Sequence, residues 1–174
     1  NRIFSFEAIR RQKGQAGFLP ALHGLLKESD YQIRTNVSEA LRTIGLVESV
    51  SHLLKVLAAE RKDNVRSLLL RALAGCGGAT AEVAKTLKGL LEKGSDLDRM
   101  TILWIAAQMQ PGCELGPAVA KLVRSGNDKV RAFAYYAVGR LGLKECAAEL
   151  RKRAGTERQV TQKACAWALT RLDG

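Results

Sequence analysis

The sequence predicts an all-α solenoid, a stack of helix pairs that repeat along the chain. The first observation is a phrase, usually opened by an aliphatic residue and Arg, that carries Ala and a second aliphatic residue about two turns later. It begins at residues 33, 65, 98, 130 and 161, which are 32, 33, 32 and 31 residues apart. The second observation is an apolar stripe with the same spacing, at Leu22, Leu54, Leu87, Val119 and Leu150. Two patterns that share a period of this length indicate stacked two-helix units.

The apolar stripes predict the first helix of each pair. In the first four stripes, position i is the apolar residue four places earlier, at Phe18, Val50, Val83 and Leu115. Positions i, i+4, i+7 and i+8 are then all apolar, and residues with this spacing share one helix face. The predicted first helices span 17–27, 47–60, 80–93, 114–125 and 144–153. The last copy places a charge, Arg153, in the stripe, as expected of an end unit that no neighbour covers.

The repeated phrase predicts the second helix of each pair, over 31–44, 64–76, 97–109, 129–141 and 159–172. The opening of the chain fits the same register, because Asn1-Arg2 aligns with Ile33-Arg34. This alignment predicts a leading helix that belongs to a preceding pair. We therefore expect one repeat domain over residues 1–174, cut from a longer protein.

Turn residues mark the ends of these helices. Carboxylates in the turn within each pair are predicted to cap the second helix, at Asp30, Asp63, Asp96 and Asp128. Glycines are predicted to end second helices, at Gly45, Gly77 and Gly142. Asp98 stands where most copies have an apolar opening residue, so this helix is expected to shift by one and to bury Leu97 instead.

Composition and motifs argue for a folded binding protein without a cofactor. The chain is 47% hydrophobic and 26% charged, which is typical of a folded protein. No apolar run approaches the roughly 18 residues of a membrane helix, and the four cysteines form no CxxC pair, so we expect reduced core thiols in a cytoplasmic protein. The sequence contains no phosphate loop, GxSxG or HExxH motif, and we expect no enzyme activity.

Several segments carry a resemblance to a known repeat family. They are Asp63-Asn64-Val65-Arg66 with Ala72-Leu73, Asp128-Lys129-Val130-Arg131 with Ala137-Val138-Gly139, Pro20-Ala21-Leu22 and Pro117-Ala118-Val119. The chain resembles the short HEAT-like repeats of the phycobilin-lyase type. This resemblance implies a right-handed solenoid of about five helix pairs whose second helices line the concave side. It also implies that a ladder of arginines ties neighbouring turns together, at Arg34, Arg66, Arg99 and Arg131.

The phase of the second helices predicts a binding surface. With the opening residue as position 0, positions 0, 4, 7, 8 and 11 should be buried, and positions 2, 5, 6 and 9 should face outward. The outward set contains apolar and aromatic residues that we predict to bind a partner: Leu70, Met100, Leu103, Trp104, Tyr135, Tyr136 and Trp167. Exposed aromatic strips are typical of binding hot spots. The alternative is that position 6 leans into the next unit and buries Trp104, Tyr136 and Trp167 as packing.

The net charge of +11 favours an acidic partner, although a basic surface also serves solubility. We predict an electrostatic rim that consists of Lys121, Arg124, Lys129, Arg151, Lys152 and Arg153. The predicted function is a monomeric, non-catalytic scaffold that binds an acidic or amphipathic segment of another protein. The alternative is sequence-independent nucleic-acid binding through the basic convex side or edge. A DNA-glycosylase-like enzyme is the third hypothesis. Against it, the predicted groove has no carboxylate beside Trp104 and Tyr135.

Overall fold

Ten α-helices lie at the ten predicted positions in the part of the chain that the structure, a computed structural model, describes: residues 16–77, 80–109 and 113–174. In chain order they are α1 (Leu19–Leu25), α2 (Tyr31–Ile44), α3 (Val50–Ala59), α4 (Asp63–Gly77), α5 (Ala81–Lys93), α6 (Asp96–Ala106), α7 (Gly116–Lys121), α8 (Asp128–Leu141), α9 (Ala147–Ala154) and α10 (Gln159–Asp173). Short 3-10 turns flank several first helices, at Ala16–Phe18, Val47–Ser49, Leu122–Arg124 and Lys144–Cys146. The predicted leading helix lies outside the described residues.

The predicted fold class, an all-α solenoid of helix pairs, is confirmed. Odd-numbered helices correspond to the predicted first helices and even-numbered helices to the second, and the described residues contain no strand. The same residues contain no helix that combines the length and the apolarity needed to cross a membrane. The handedness of the solenoid and its extent as one domain stay predictions.

The chain forms two compact units, residues 1–84 and 85–174. In the first unit, α2 packs along α4, while α1 packs on α2 and α3 on α4. In the second unit, α8 lies between α6 and α10, with α7 packed on α8 and α9 on α10. Four second helices, α2, α4, α8 and α10, each pack on their own first helix and on a neighbouring second helix, whereas α6 packs on α7 and α8. This arrangement buries a wide arc of each second helix, which matters for the location of the candidate site.

Polar side chains cap α2, α6 and α8, as expected, but only one of the four predicted cap residues is the cap itself. Asp30 caps α2 by accepting a 2.8 Å hydrogen bond from the Gln32 amide, as predicted. In α6 and α8 the caps are Ser95 and Asn127, because these residues carry the extended backbone that precedes a helix. The predicted caps Asp63, Asp96 and Asp128 are instead the first residues of their helices. Gly45 and Gly142 end α2 and α8 in the left-handed conformation, with φ of 70° and 65°.

The predicted one-residue shift of α6 is wrong. Asp98 occupies the buried position itself, at 4% exposure, and Leu97 is only half-buried. A capping box makes this burial tolerable: the Ser95 hydroxyl accepts a bond from the Asp98 amide at 3.1 Å, and the Asp98 carboxylate accepts one from the Ser95 amide at 3.4 Å.

The arginine ladder ties turns together, as the resemblance implied. Arg34 donates to the carbonyls of Glu28 and Ser29 in its own turn and to the Glu60 carboxylate at 2.7 Å. Arg131 repeats this arrangement with the carbonyls of Ser125 and Gly126 and with the Glu157 carboxylate at 2.9 Å. The other two ladder members, Arg66 and Arg99, also donate to turn carbonyls. These guanidinium groups are structural, because their donors are occupied by the turns.

The cysteines are free thiols, and Cys76, Cys146 and Cys165 are buried. Burial raises the pKa of the Cys76 and Cys146 thiols to about 11, which keeps both protonated near neutral pH. No group of three metal-ligating side chains occurs among the residues that the structure describes.

Candidate protein-binding surface

Position 5 of the second helices is buried, so the prediction that Leu70, Leu103 and Tyr135 face outward is wrong. All three side chains are 0% exposed. The prediction assumed that each second helix buries one face, formed by positions 0, 4, 7, 8 and 11. Each second helix instead packs both on a first helix and on adjacent second helices, which covers more of its surface. In α10, the last helix of the chain, the residue at position 5 is Ala166, and it is exposed.

Tyr135 shows what position 5 does in α8. Its hydroxyl donates to the Glu157 carboxylate at 2.5 Å, in the turn that precedes α10. Burial, first of all, and the Glu157 carboxylate raise the pKa of the Tyr135 phenol, so the hydroxyl remains a donor. Tyr135 therefore joins the structural network of Arg131 and is not available to a partner.

The Glu157 carboxylate is the centre of this network. Arg131 donates to both of its oxygens, and the hydrogen bonds from this guanidinium hold the pKa of Glu157 at about 2 despite burial. In the first unit, burial raises the pKa of Glu60, but the hydrogen bonds from Arg34 and from the amides of Arg61 and Lys62 outweigh it and lower the pKa. Both carboxylates are ionised, fully hydrogen-bonded groups, which makes them poor candidates for a general acid or base.

Of the four positions predicted to face outward, position 6 alone is exposed in all of α6, α8 and α10, and it carries an aromatic residue in each of these helices. Trp104 in α6 is 38% exposed, and Tyr136 in α8 and Trp167 in α10 are each 37% exposed. Met100, one turn before Trp104, is half-buried. The alternative expected position 6 to lean into the next unit and to be buried there. The three rings are not buried, but Tyr136 does lean onto Trp167 of the next pair.

Tyr136 and Trp167 form a stacked pair across α8 and α10. Their ring centroids are 4.9 Å apart, and the ring planes are inclined by 27°. Gly139 permits this approach, because a Cβ at that position would lie 2.7 Å from Cζ3 of Trp167 and 3.0 Å from the Cα of Ala168. The pair is thus held in place by the close contact of the two helices.

Three exposed cations lie one turn from these rings. Arg140 follows Tyr136 by one turn, and its Nε donates to the carbonyl of Ala107 at 3.1 Å. Lys163 and Arg171 lie one turn before and after Trp167, with the Arg171 guanidinium carbon 6.0 Å from the Trp167 ring centroid. We call the set of Trp104, Tyr136, Trp167, Arg140, Lys163 and Arg171 the aromatic face.

Arg140 and Arg171 were not among the predicted residues, because the binding surface was predicted from positions 2, 5, 6 and 9 only. Both occupy position 10, which lies on the same helix face as position 6 because the two are four residues apart. The signal was present in the sequence. The segments 99–109, 131–141 and 161–171 contain no Asp or Glu, although acidic residues are frequent elsewhere in the chain.

Most of the predicted electrostatic rim is paired with carboxylates. Lys121 lies 3.5 Å from Glu92, Arg124 and Arg153 both bind Glu149, and Arg151 binds Asp173. Within the part of the chain that the structure describes, only Lys129 and Lys152 of the six have no such ion pair, and both are exposed. The rim charge is thus largely compensated within the chain, in contrast to the cations of the aromatic face.

Comparisons with known proteins agree on the fold. The family model for HEAT repeats matches residues 2–74. The crystal structure of an engineered protein, solved by a structural genomics consortium, is similar with a TM-score of 0.56 and 18% identity, over 97% of this chain and 84% of that one. Human deoxyhypusine hydroxylase, solved in complex with glycerol, is similar with a TM-score of 0.53 and 20% identity, over 99% of this chain and 80% of that one. A search of curated proteins found no match.

Proposed function

The chain is a HEAT-like repeat protein, and we propose that it is a non-catalytic binding module that holds an acidic segment of another protein on its aromatic face. The observation that carries the proposal is the repetition of one exposed aromatic residue at the same position of α6, α8 and α10. Helical repeat proteins commonly bind through such a surface of adjacent helices. We further propose that the module is cytoplasmic and monomeric, since its buried thiols are free and its net charge of +11 opposes self-association.

The apolar part of the face supplies affinity. Tryptophan and tyrosine are the residues most enriched in binding hot spots, because they bury a large area with little loss of side-chain freedom. Trp104, Tyr136 and Trp167 each leave more than a third of their surface exposed in the free chain. A helical or extended segment that covers them would remove this surface from water.

The charges of the face select the partner. Arg140, Lys163 and Arg171 have no ion pair with any described carboxylate, and the central turns of the three helices contain no acidic residue. A partner that carries Asp or Glu beside an apolar side chain would satisfy both parts of the surface. This complementarity supports an acidic protein segment as the occupant.

Two observations disfavour the other functional classes. Human deoxyhypusine hydroxylase, an enzyme by name, has a fold similar to that of this chain, so the fold alone does not decide whether this chain is an enzyme. The buried carboxylates Glu60 and Glu157 of this chain, however, are occupied by arginines. For nucleic acid, base stacking needs open ring faces, and Tyr136 and Trp167 each use one face on the other.

The test is fluorescence anisotropy with a labelled helical peptide that has leucines on one face and glutamates on the other. We expect it to bind, and we expect the Trp104→Ala/Tyr136→Ala variant to bind about 30-fold or more weakly, because one hot-spot aromatic contributes roughly 2 kcal/mol. An Arg140→Gln/Arg171→Gln variant should also weaken binding. Circular dichroism and thermal melting establish that both variants fold.

Two controls accompany this test. Tyr31→Ala removes an aromatic side chain of 48% exposure from α2 and should leave binding unchanged. A peptide with lysines in place of the glutamates should not bind. Equal affinity of the wild type and the folded aromatic variant would refute the proposal, and so would a single-stranded oligothymidine that binds more tightly and loses affinity in the same variant.

A further inference from the structure

A cleft in the first unit lies between the turns of its two helix pairs. Its volume is about 530 Å³, within the size range of small-molecule sites. The apolar side chains that line it are Leu26, Val56 and Ala59. Leu26 is buried, whereas Val56 and Ala59 retain solvent-exposed surface, so the cleft has an apolar floor that is open to solvent.

Four exposed cations surround this floor: Lys27, Lys55, Arg61 and Lys62. None of the four forms an ion pair with a carboxylate of the described residues. The cleft also contains Arg34 and Glu60, which neutralise each other at 2.7 Å, and Glu28. Four cations against the single remaining carboxylate leave three uncompensated positive charges beside an apolar floor.

In the second unit the same region has part of its charge paired internally, although Lys152 and Arg158, which match Lys55 and Arg61, have no ion pair with a described carboxylate. Arg131 and Glu157 match Arg34 and Glu60, and in that register Arg124 matches Lys27 and Arg153 matches Val56. Both Arg124 and Arg153 donate to Glu149, at 3.0 and 2.7 Å. The second unit therefore has an ion-pair cluster at the place where the first unit has an apolar side chain.

The carboxylate of that cluster is missing in the first unit. The residue that matches Glu149 is His52, whose ring stacks on His23 with a centroid distance of 3.9 Å. His52 supplies no negative charge to Lys27 or Lys55. The first unit thus leaves Lys27 without an ion pair and has the apolar Val56 in the place of Arg153.

From this contrast we propose that the cleft of Leu26, Val56 and Ala59 binds a small amphipathic organic anion. Its apolar body lies on the floor, and its carboxylate, sulfonate or phosphate group lies among Lys27, Lys55, Arg61 and Lys62. The anion takes the electrostatic place that Glu149 holds in the second unit. This site is separate from the aromatic face and does not depend on the function proposed for it.

The experiment is a fluorescence titration of the whole chain with anilinonaphthalene sulfonate, which has an aromatic body and one sulfonate. We expect saturable binding that octanoate displaces, while acetate, which lacks the apolar body, and octylamine, which has the opposite charge, do not. The Lys55→Gln/Arg61→Gln variant should bind the dye about tenfold or more weakly. His52→Glu should also weaken binding, because it supplies the internal carboxylate of the second unit.

The matched control is Lys129→Gln/Lys152→Gln, which removes the same charge from exposed, unpaired lysines of the second unit. This control and the Trp104→Ala/Tyr136→Ala variant should both retain dye binding at the cleft. Dye binding that is absent, that acetate and octylamine displace as well as octanoate does, or that the folded Lys55→Gln/Arg61→Gln variant retains in full would overturn the proposal.

Discussion

At the residue scale, two glutamates hold successive turns of the repeat together. Glu60 and Glu157 each accept hydrogen bonds from the arginine of the preceding second helix, and both are buried. Removal of one partner of a buried ion pair is costly because the other charge is left without compensation. Glu157 also accepts the Tyr135 hydroxyl, which makes it the more connected of the two.

We predict that Glu157→Gln destabilises the protein by about 3 kcal/mol, the usual order for breaking a buried pair. The pKa of Glu157 is about 2 in the folded chain and 4.5 in the reference state. A lowered carboxyl pKa means that the stabilisation is complete above pH 4.5 and is lost as the pH falls towards 2. Urea unfolding between pH 7 and 2.5 should show this loss in the wild type and a smaller one in the variant.

The control for this prediction is Glu145→Gln, which changes an exposed glutamate of the same unit and should alter stability by less than about 0.5 kcal/mol. An unfolding free energy of Glu157→Gln that equals the wild-type value at pH 7 would contradict the assigned role of Glu157.

At the element scale, the close approach of α8 and α10 positions the aromatic face. The two helices meet where Gly139 lies against Trp167 and Ala168, and the same contact sets the stack of Tyr136 on Trp167. Individual helix positions were predictable because the 3.6-residue period is local. The approach of the two helices was not, since it depends on a small residue in one helix that faces a large residue in another.

We predict that Gly139→Ala destabilises the second unit by about 1–3 kcal/mol, the usual cost of overpacking. The new Cβ would lie 2.7 Å from the Trp167 ring, so the indole must move and the stack with Tyr136 must loosen. Tryptophan fluorescence should shift to longer wavelength as Trp167 becomes more exposed. Chemical unfolding of the variant gives the free-energy change.

The matched control is Gly89→Ala in α5, where a Cβ would have no atom within 4 Å. This change should stabilise the protein by about 0.5–1 kcal/mol, because alanine favours the helix. If Gly139→Ala were as stabilising as Gly89→Ala, the close contact between α8 and α10 would be refuted.

At the scale of the whole molecule, the net charge of +11 exceeds what the aromatic face uses. Four of the six predicted rim cations are paired with carboxylates, whereas the aromatic face contributes three cations. Attraction of polyanions is a property of the total charge, and specific binding is a property of the face. The two should therefore respond differently to salt and to substitution.

We predict that oligothymidine binds weakly, with an affinity that falls by about 0.7 log units per phosphate contact for each tenfold rise in salt. Trp104→Ala/Tyr136→Ala should leave this binding unchanged while it weakens the acidic peptide. Anisotropy titrations at several salt concentrations measure both. Oligothymidine binding that persists at high salt and requires Trp104 and Tyr136 would favour the nucleic-acid alternative.

Local periodicity and a repeat length that two independent stripes share predicted the fold class and the ten described helices. The structural role of the arginine ladder was implied by the resemblance to HEAT-like repeats. The phase of the helices also put Trp104, Tyr136 and Trp167 at an outward position, and these side chains are 37–38% exposed.

Which other positions face solvent depends on tertiary packing. Leu70, Leu103 and Tyr135 are adjacent in sequence to outward residues, yet they are fully buried. The reason is that each second helix is covered on several sides, and the sequence of one helix does not record how wide the covered arc is. The same limit applies to Arg153 and Val56, which occupy equivalent positions. Arg153 forms an ion pair because Glu149 lies one turn before it, whereas Val56, with His52 one turn before it, lines a cleft.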